Sequence, residues 1–479
     1  MRAAKRIKRW LILGHRWLGI VTCLLFVVWF GSGLVMMYVG FPALTEEERR
    51  AGLPVLALDR VAVTPEAALA AAGQASFPRA LRLEMRDREP VYRVTAWDGT
   101  RHAVSAVTGS PLAAVPEASA VAVAAHDPRA VRPRPLAPVD RDQWSVTARY
   151  DPLRPFHRVA LGDADETVLY VSARTGEVAL DTTARERLWN WFGAIPHWIY
   201  LTPLRAQAAL WRDVVLWVSG IAAGGAVTGL VVGLLRLRPR RGGRLTPHRG
   251  WAAWHHLGGL VGGVTLVTFV ASGWLSVNPN QWFGPRAPSR AMLESYAGGT
   301  APTALGLDAV RQAACREPVE VRFVRVGGAA RALIACRGAG LAVAPPELPG
   351  ASAAHIAGAA RRLLPDAAVA ATTLLTAEDA YWYAHHRPPR LPVLRVAFDD
   401  PAATWFHLDP ATGEVLDRLD RSGRAYRWLF HAPHSFDVGI LLRHRPAWDL
   451  LLWGLIGAGM VVSVSGTVVG WRRLRRNRA

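Results

Sequence analysis

Long apolar stretches dominate the pattern along the chain, over residues 10–39, 208–235, 251–277 and 447–471. Each meets or exceeds the ~20 residues needed to cross ~30 Å of hydrocarbon, so each predicts a transmembrane helix. The first is longer than a signal-peptide core, and Met36-Met37-Tyr38 offers no small-residue cleavage site, so it is expected to stay as an anchor. Between the spans the pattern becomes polar and alternating. Thr64, Pro65 and the alanine-rich run to Ala72 predict a capped helix. Pro90–Trp97 and Arg101–Ala106, separated by Asp98-Gly99, predict a hairpin. Val168–Ser172 and Thr404–Leu408 predict strands leading to Thr-Gly turns, and the proline-rich stretch Val131–Val139 reads as a connector.

An internal repeat organises these elements. A shift of 240 residues places His15 on His255, Gly19 on Gly259, and Ser32-Gly33 on Ser272-Gly273. A shift of 237 places Thr175-Gly176-Glu177-Val178 on Thr412-Gly413-Glu414-Val415, Pro196-His197 on Pro433-His434, Trp211 on Trp448, and Gly229 on Gly466. Each half is a span, an outside domain and a second span. The predicted fold is an α-helical membrane protein with four transmembrane helices in two parallel pseudo-symmetric repeats, carrying α+β domains over 40–207 and 278–446.

Charge fixes the expected orientation. The chain of 479 residues carries a formal charge of +20, and its short segments 1–9, 236–250 and 472–479 hold sixteen arginines and lysines without one acid. All three flank apolar spans, so they belong in the cytoplasm and the large domains outside; the excess is a topology signal, not a nucleic-acid footprint. These cytoplasmic pieces are too short for a dinucleotide fold, so no NAD(P)H or FAD domain is expected and electrons would come from membrane quinol or a partner reductase. The three cysteines form no C-x-x-C-H, which excludes covalently attached haem on that motif. Cys315 and Cys336 share one outside domain and could bridge, while Cys23 lies within the first span and reads as packing.

Histidines carry the candidate chemistry. His15 follows Trp10 by five residues and His255 follows Trp251 by four, which puts both ~6–8 Å inside their helix entrances, at one level. An imidazole at membrane depth is a functional candidate by default, and a matched pair could supply both axial ligands of a non-covalent b-type haem. Helix packing or lipid contact is the plain alternative. His197 and His434 form a second pair near the outer face, so one or two haems are implied, each joining the two halves. His256 and His431 are alternatives to His255 and His434, disfavoured because their counterparts are Arg16 and Ala194. Gly225, Gly229 and Gly233, with Gly258, Gly259, Gly262 and Gly263, suit close helix packing or a flat porphyrin, and Trp10, Trp198, Trp251, Trp448 and Trp471 read as an interfacial belt. Tyr381, Tyr383, His385 and His386 offer oxygen and nitrogen ligands for an outside substrate, although their spacing matches no defined metal motif and an exposed strand and loop is the plainer reading.

His15-Arg16-Trp17-Leu18-Gly19 with Gly31-Ser32-Gly33-Leu34, and His255-His256 with Ala271-Ser272-Gly273-Trp274-Leu275-Ser276-Val277-Asn278-Pro279, resemble the transmembrane segments of the PepSY-associated membrane proteins. Asp399-Asp400-Pro401, Asp409-Pro410-Ala411-Thr412-Gly413-Glu414-Val415 and His434-Ser435-Phe436-Asp437 extend the likeness. The resemblance implies a multi-pass inner-membrane protein with periplasmic PepSY modules, and some members of that family are haem-containing ferric-siderophore reductases. The leading expectation is therefore a di-haem b electron-transfer protein serving a periplasmic acceptor such as a ferric siderophore in iron uptake. A non-catalytic membrane protein that binds or regulates a periplasmic peptide, protease or partner is the competing one.

Overall fold

The computed structural model describes residues 2–238, 245–298, 306–338, 341–344, 353–383 and 389–476; Arg240, Arg241, Arg244 and Arg478 of the basic clusters, and His385 and His386, lie outside them. Among the described residues four helices are long and apolar enough to cross a membrane: span 1 (Arg2–Met36), span 2 (Ala208–Arg236), span 3 (Trp251–Ser276) and span 4 (Arg445–Arg476). Spans 1 and 3 each pack against spans 2 and 4, so they face each other diagonally across the bundle. Phe26, Phe30, Ala222, Leu266, Val270 and Trp448 fill its middle. Trp10, Trp251 and Trp471 are exposed at the span ends, as a belt requires, but Trp448 is buried. Its indole donates to the Ser435 carbonyl at 2.9 Å and lies under the Arg445 guanidinium, so it serves the bundle and not the lipid boundary.

The segments between spans fold as α+β structure, with three open sheets among the described residues. The largest runs β10-β9-β8-β1-β2-β3, built from β1 (Ala80–Arg86), β2 (Glu89–Thr95), β3 (Arg101–Ser105), β8 (Pro318–Val326), β9 (Ala329–Cys336) and β10 (Leu341–Ala344). The chain segments 40–207 and 278–446 thus share one sheet, joined by antiparallel pairing of β1 with β8. Period-two alternation explains its faces: Leu81, Leu83, Val321 and Phe323 enter an apolar core, while Arg82, Glu84, Glu320 and Arg322 point the other way. The predicted helix forms over Pro65–Ala71, with the Thr64 hydroxyl accepting from the Ala67 amide, and the predicted hairpin forms with Gly99 at positive φ.

Two four-stranded sheets cover the charged face side, β4 (Arg134–Val139) through β5 (Phe156–Ala160), β6 (Val168–Ser172) and β7 (Val178–Thr182), and β11 (Val369–Leu375) through β12 (Val393–Phe398), β13 (Trp405–Leu408) and β14 (Val415–Leu419). The proline-rich connector is in fact the edge strand β4. Pro135 and Pro138 are tolerated because only one side of an edge strand must hydrogen-bond, and the register slips between Leu136 and Val139. Cys315 and Cys336 form a disulfide, their Cα atoms 6.4 Å apart.

The repeated Thr-Gly-Glu turns clamp the sheets together. Gly176 and Gly413 adopt φ of 74° and 78°, which glycine reaches without strain, and turn Glu177 and Glu414 inward. Arg82 and Arg322, opposite each other in register, bind Glu177 and Glu414 respectively. Glu84 and Glu320 also sit directly opposite, almost fully buried, an arrangement that repels unless cations intervene. Arg49 bridges both carboxylates, and Arg93 donates to Glu84 at 3.0 Å. Burial alone would raise the Glu84 carboxyl, but Arg82, Arg49 and Arg93 outweigh it and hold it at about 2.

Replacing Arg49 with Met removes the guanidinium that bridges the two buried carboxylates and should destabilise the α+β structure by ~3–5 kcal/mol, read as a lower melting temperature in detergent. Because the Glu84 carboxyl is depressed from 4.5 to about 2, its contribution is complete above pH 4.5 and is lost as pH falls through 2. An acid titration of the wild type followed by circular dichroism should show that loss, and the Arg49→Met variant should show a smaller one.

Candidate functional site

The bundle brings the four predicted histidines together in two pairs. His15 on span 1 and His255 on span 3 meet across the diagonal with ring centres 6.2 Å apart and planes at 14°. His197, on the short helix Ala194–His197, meets His434, on the short helix Ala432–Ser435, with centres 6.1 Å apart and planes at 69°. Two imidazoles on opposite sides of one metal ion stand about 6.3 Å apart, from ~2.0–2.1 Å per metal–nitrogen bond and ~1.1 Å from that nitrogen to the ring centre. Both observed separations match it. The pairs occupy different levels: His15 and Ser32, which His197 touches, are separated along span 1 by ~26 Å of helical rise.

Backbone carbonyls orient every ring. His15 Nδ1 lies 3.4 Å from the Gly225 carbonyl and His255 Nδ1 lies 3.2 Å from the Val462 carbonyl. His197 Nδ1 lies 3.2 Å from the Trp29 carbonyl and His434 Nδ1 lies 3.1 Å from the Phe269 carbonyl. Gly225 and Val462 are superposed by the 237-residue shift, Trp29 and Phe269 by the 240-residue shift. A carbonyl oxygen only accepts, so each bond assigns the proton to Nδ1 and leaves Nε2 with a lone pair. Among the described residues none of these four Nε2 atoms has a hydrogen-bond partner. Ser32 and Ser272 add hydroxyls 3.1 and 3.0 Å from the outer Nδ1 atoms; both hydroxyls donate to their own helix carbonyls and so accept from the imidazoles.

Glycines make room for the rings. A Cβ at Gly229 would stand 2.7 Å from the His15 ring, and one at Gly466 would stand 2.9 Å from the His255 ring and 2.6 Å from the Cys23 sulfur. Gly273 faces the His434 ring at 3.2 Å and Gly33 faces the His197 ring at 3.6 Å. The matched glycines therefore seat imidazoles. Gly262, by contrast, meets the Ala458 carbonyl of span 4 at 2.5 Å, the close helix crossing expected of small residues.

The neighbouring candidates have other partners. His256 uses both nitrogens, Nδ1 toward the Thr246 hydroxyl at 2.7 Å and Nε2 toward the Gly233 carbonyl at 2.9 Å, which ties the loop before span 3 to the end of span 2. His431 packs against the rings of Tyr426 and Phe430. Arg16 is exposed on the outside of the bundle, where a lipid phosphate can meet it. Tyr383 donates to Asp437, itself held by Arg427, and Tyr381 accepts from the Trp428 indole and packs on Trp405. Both tyrosines are thus committed to local packing.

A cavity of about 690 Å³ opens at the outer pair, within the range that holds cofactors and drug-sized ligands. Phe26, Phe30, Phe269, Phe430 and Trp448 line it together with the two imidazoles. Among the described residues no three His, Cys, Asp or Glu side chains gather as a metal cage. The histidines come in twos, the number of axial positions on a porphyrin iron, so the donor set fits haem.

Gly229→Ala should cost ~1–3 kcal/mol by forcing the His15 ring from its seat. Gly224→Ala, five residues away on the same helix with open space around it, should be neutral or stabilising by up to ~1 kcal/mol. Melting temperatures of the two variants in the same detergent measure the contrast, and equal values would mean that the glycine is no seat.

The sequence matches the family described as PepSY-associated TM region over residues 14–376, which takes in most of span 1, spans 2 and 3 and the strands that join the two halves. No curated protein matches the sequence significantly. His434 and span 4 lie beyond the matched region but mirror His197 and span 2 in the contacts described above. With most of its length inside that match, the chain belongs to the PepSY-associated transmembrane family, as a multi-pass membrane protein.

Proposed function

We propose that this protein is an inner-membrane di-haem b electron-transfer protein that carries electrons across the bilayer to a periplasmic acceptor, a ferric siderophore being the acceptor suggested by its family. His15 with His255 would hold the inner haem and His197 with His434 the outer one, both without covalent attachment. The observation that carries the reading is the spacing of the two imidazole pairs, 6.2 and 6.1 Å, with every Nδ1 turned to a carbonyl and every Nε2 left without a hydrogen-bond partner among the described residues.

Bound there, haem supplies one-electron chemistry at a potential set by its axial ligands and surroundings. The chain's own residues do the rest. The carbonyls fix ring tautomer and orientation and make Nε2 a better donor, as outer partners of metal-bound histidine generally do. Phe26, Phe30, Phe269 and Val270 wall the outer cavity with apolar side chains between the two levels, surroundings that disfavour water. Quinol or a partner reductase would serve as donor at the inner level.

The reading includes two parallel repeats about an axis along the membrane normal, both termini cytoplasmic and the α+β structure periplasmic. Matched contacts in the two halves support the first, and the basic span flanks support the second. The Cys315–Cys336 disulfide agrees, because such bonds persist in oxidising compartments.

An absorption spectrum of detergent-purified protein before and after dithionite tests the proposal. Two reducible six-coordinate haems per chain are expected, falling to one in His15→Ala and to one in His434→Ala. A protein folded and haem-free after expression with ample haem would refute it and leave the non-catalytic reading.

A further inference from the structure

The outer cavity carries one fixed charge. Among the described residues Arg212, near the start of span 2, is the only lining group that is charged at neutral pH; beside the two neutral imidazoles the others are aromatic, aliphatic, methionine, glycine or hydroxyl side chains. The Arg212 guanidinium is poorly spent: Nη2 donates to the Asn278 carbonyl at 3.3 Å, and the adjacent Asp213 carboxylate stands 3.9 Å away, beyond hydrogen-bond reach. A guanidinium has five N–H donors in a planar fork that suits carboxylates.

The counterpart position breaks the repeat. The 237-residue shift places Asp449 of span 4 on Arg212. That carboxylate accepts from the Tyr38 hydroxyl at 3.0 Å and lies 3.5 Å from Arg445. The repeat is therefore asymmetric at the cavity: Arg212 lines it on the flank where spans 2 and 3 meet, while Asp449 is held by Tyr38 and Arg445 and is not part of the lining. A flat ligand with carboxylates along one edge has a single favourable orientation in such a site.

We infer that Arg212 anchors the propionate edge of the outer haem, so that this edge points to the flank where spans 2 and 3 meet. The inference rests on the di-haem reading. It makes Arg212 a positioning residue whose charge also favours the reduced iron. A unit charge at roughly 10 Å in an effective dielectric of about 20 changes a one-electron equilibrium on the order of tenfold, ~59 mV.

Optical redox titration of the full-length protein tests this with Arg212→Gln and Arg212→Lys, each made also in the His15→Ala background so that the outer haem is read alone. Arg212→Gln should lower the outer potential by ~59 mV or release that haem, Arg212→Lys should recover most of the effect, and the inner haem, read alone in the His434→Ala background, should not move. An unchanged outer potential with both haems retained would overturn the inference, as would equal shifts at both haems. Should Arg212→Gln fail to fold, wild-type protein loaded with haem dimethyl ester replaces it: the uncharged edge should weaken outer binding, and unaltered binding would overturn the inference. Wild-type protein that binds no haem would instead defeat the underlying reading, so the two failures are distinct.

Discussion

The hydrogen bond from each histidine Nδ1 to a backbone carbonyl of a neighbouring helix is the constraint on which the rest depends. It places the proton on Nδ1 and leaves Nε2 with a free lone pair. A carbonyl inside a helix accepts a second bond only where the helix surface lets the ring approach. That approach requires glycine at 229 and 466, and it brings the outer rings against Gly33 and Gly273. Removing such a bond would free the ring to turn, and the separation of about 6 Å across each pair would no longer be held.

The α+β structure fixes the same distances from the other end. One six-stranded sheet is shared by the two halves, so the spans it connects cannot drift apart independently. Its charged face is costly to bury, and Arg49, Arg82, Arg93 and Arg322 offset that cost by pairing with Glu84, Glu320, Glu177 and Glu414. A buried network of this kind is weak evidence for net stability, yet it specifies register, since a slip of one residue would place carboxylates against apolar side chains. The short helices that carry His197 and His434 follow directly on these domains, which links sheet geometry to the outer site.

Much of this was legible in the sequence, and what was not has a physical reason. The spans followed from apolar length, and the histidine pairs followed from two shifts that superpose His15 on His255 and His197 on His434. The same shifts marked Ser32-Gly33, Ser272-Gly273, Gly229 and Gly466, but their role depends on which face each helix presents to a ring, and helical periodicity alone does not fix that in a bundle apolar on all sides. Pairing of β1 with β8 joins residues about 240 apart, beyond any local pattern. The Arg82–Glu177 and Arg322–Glu414 pairs depend on that sheet, so the repeated Thr-Gly-Glu motif could be seen without its partner. Strand β4 was hidden because proline usually argues against a strand, and Trp448 because a tryptophan at a span end is equally at home in lipid headgroups or in a bundle.

The central claim is that histidines from the two halves share a metal at two heights in the membrane. Low-temperature electron paramagnetic resonance of the oxidised protein, with histidine labelled by nitrogen-15, tests it most directly. Two low-spin ferric signals coupled to labelled nitrogen are predicted, and they should differ in shape because the ring planes meet at 14° in one pair and 69° in the other. High-spin iron alone, or low-spin iron without coupling to labelled histidine, would contradict the account.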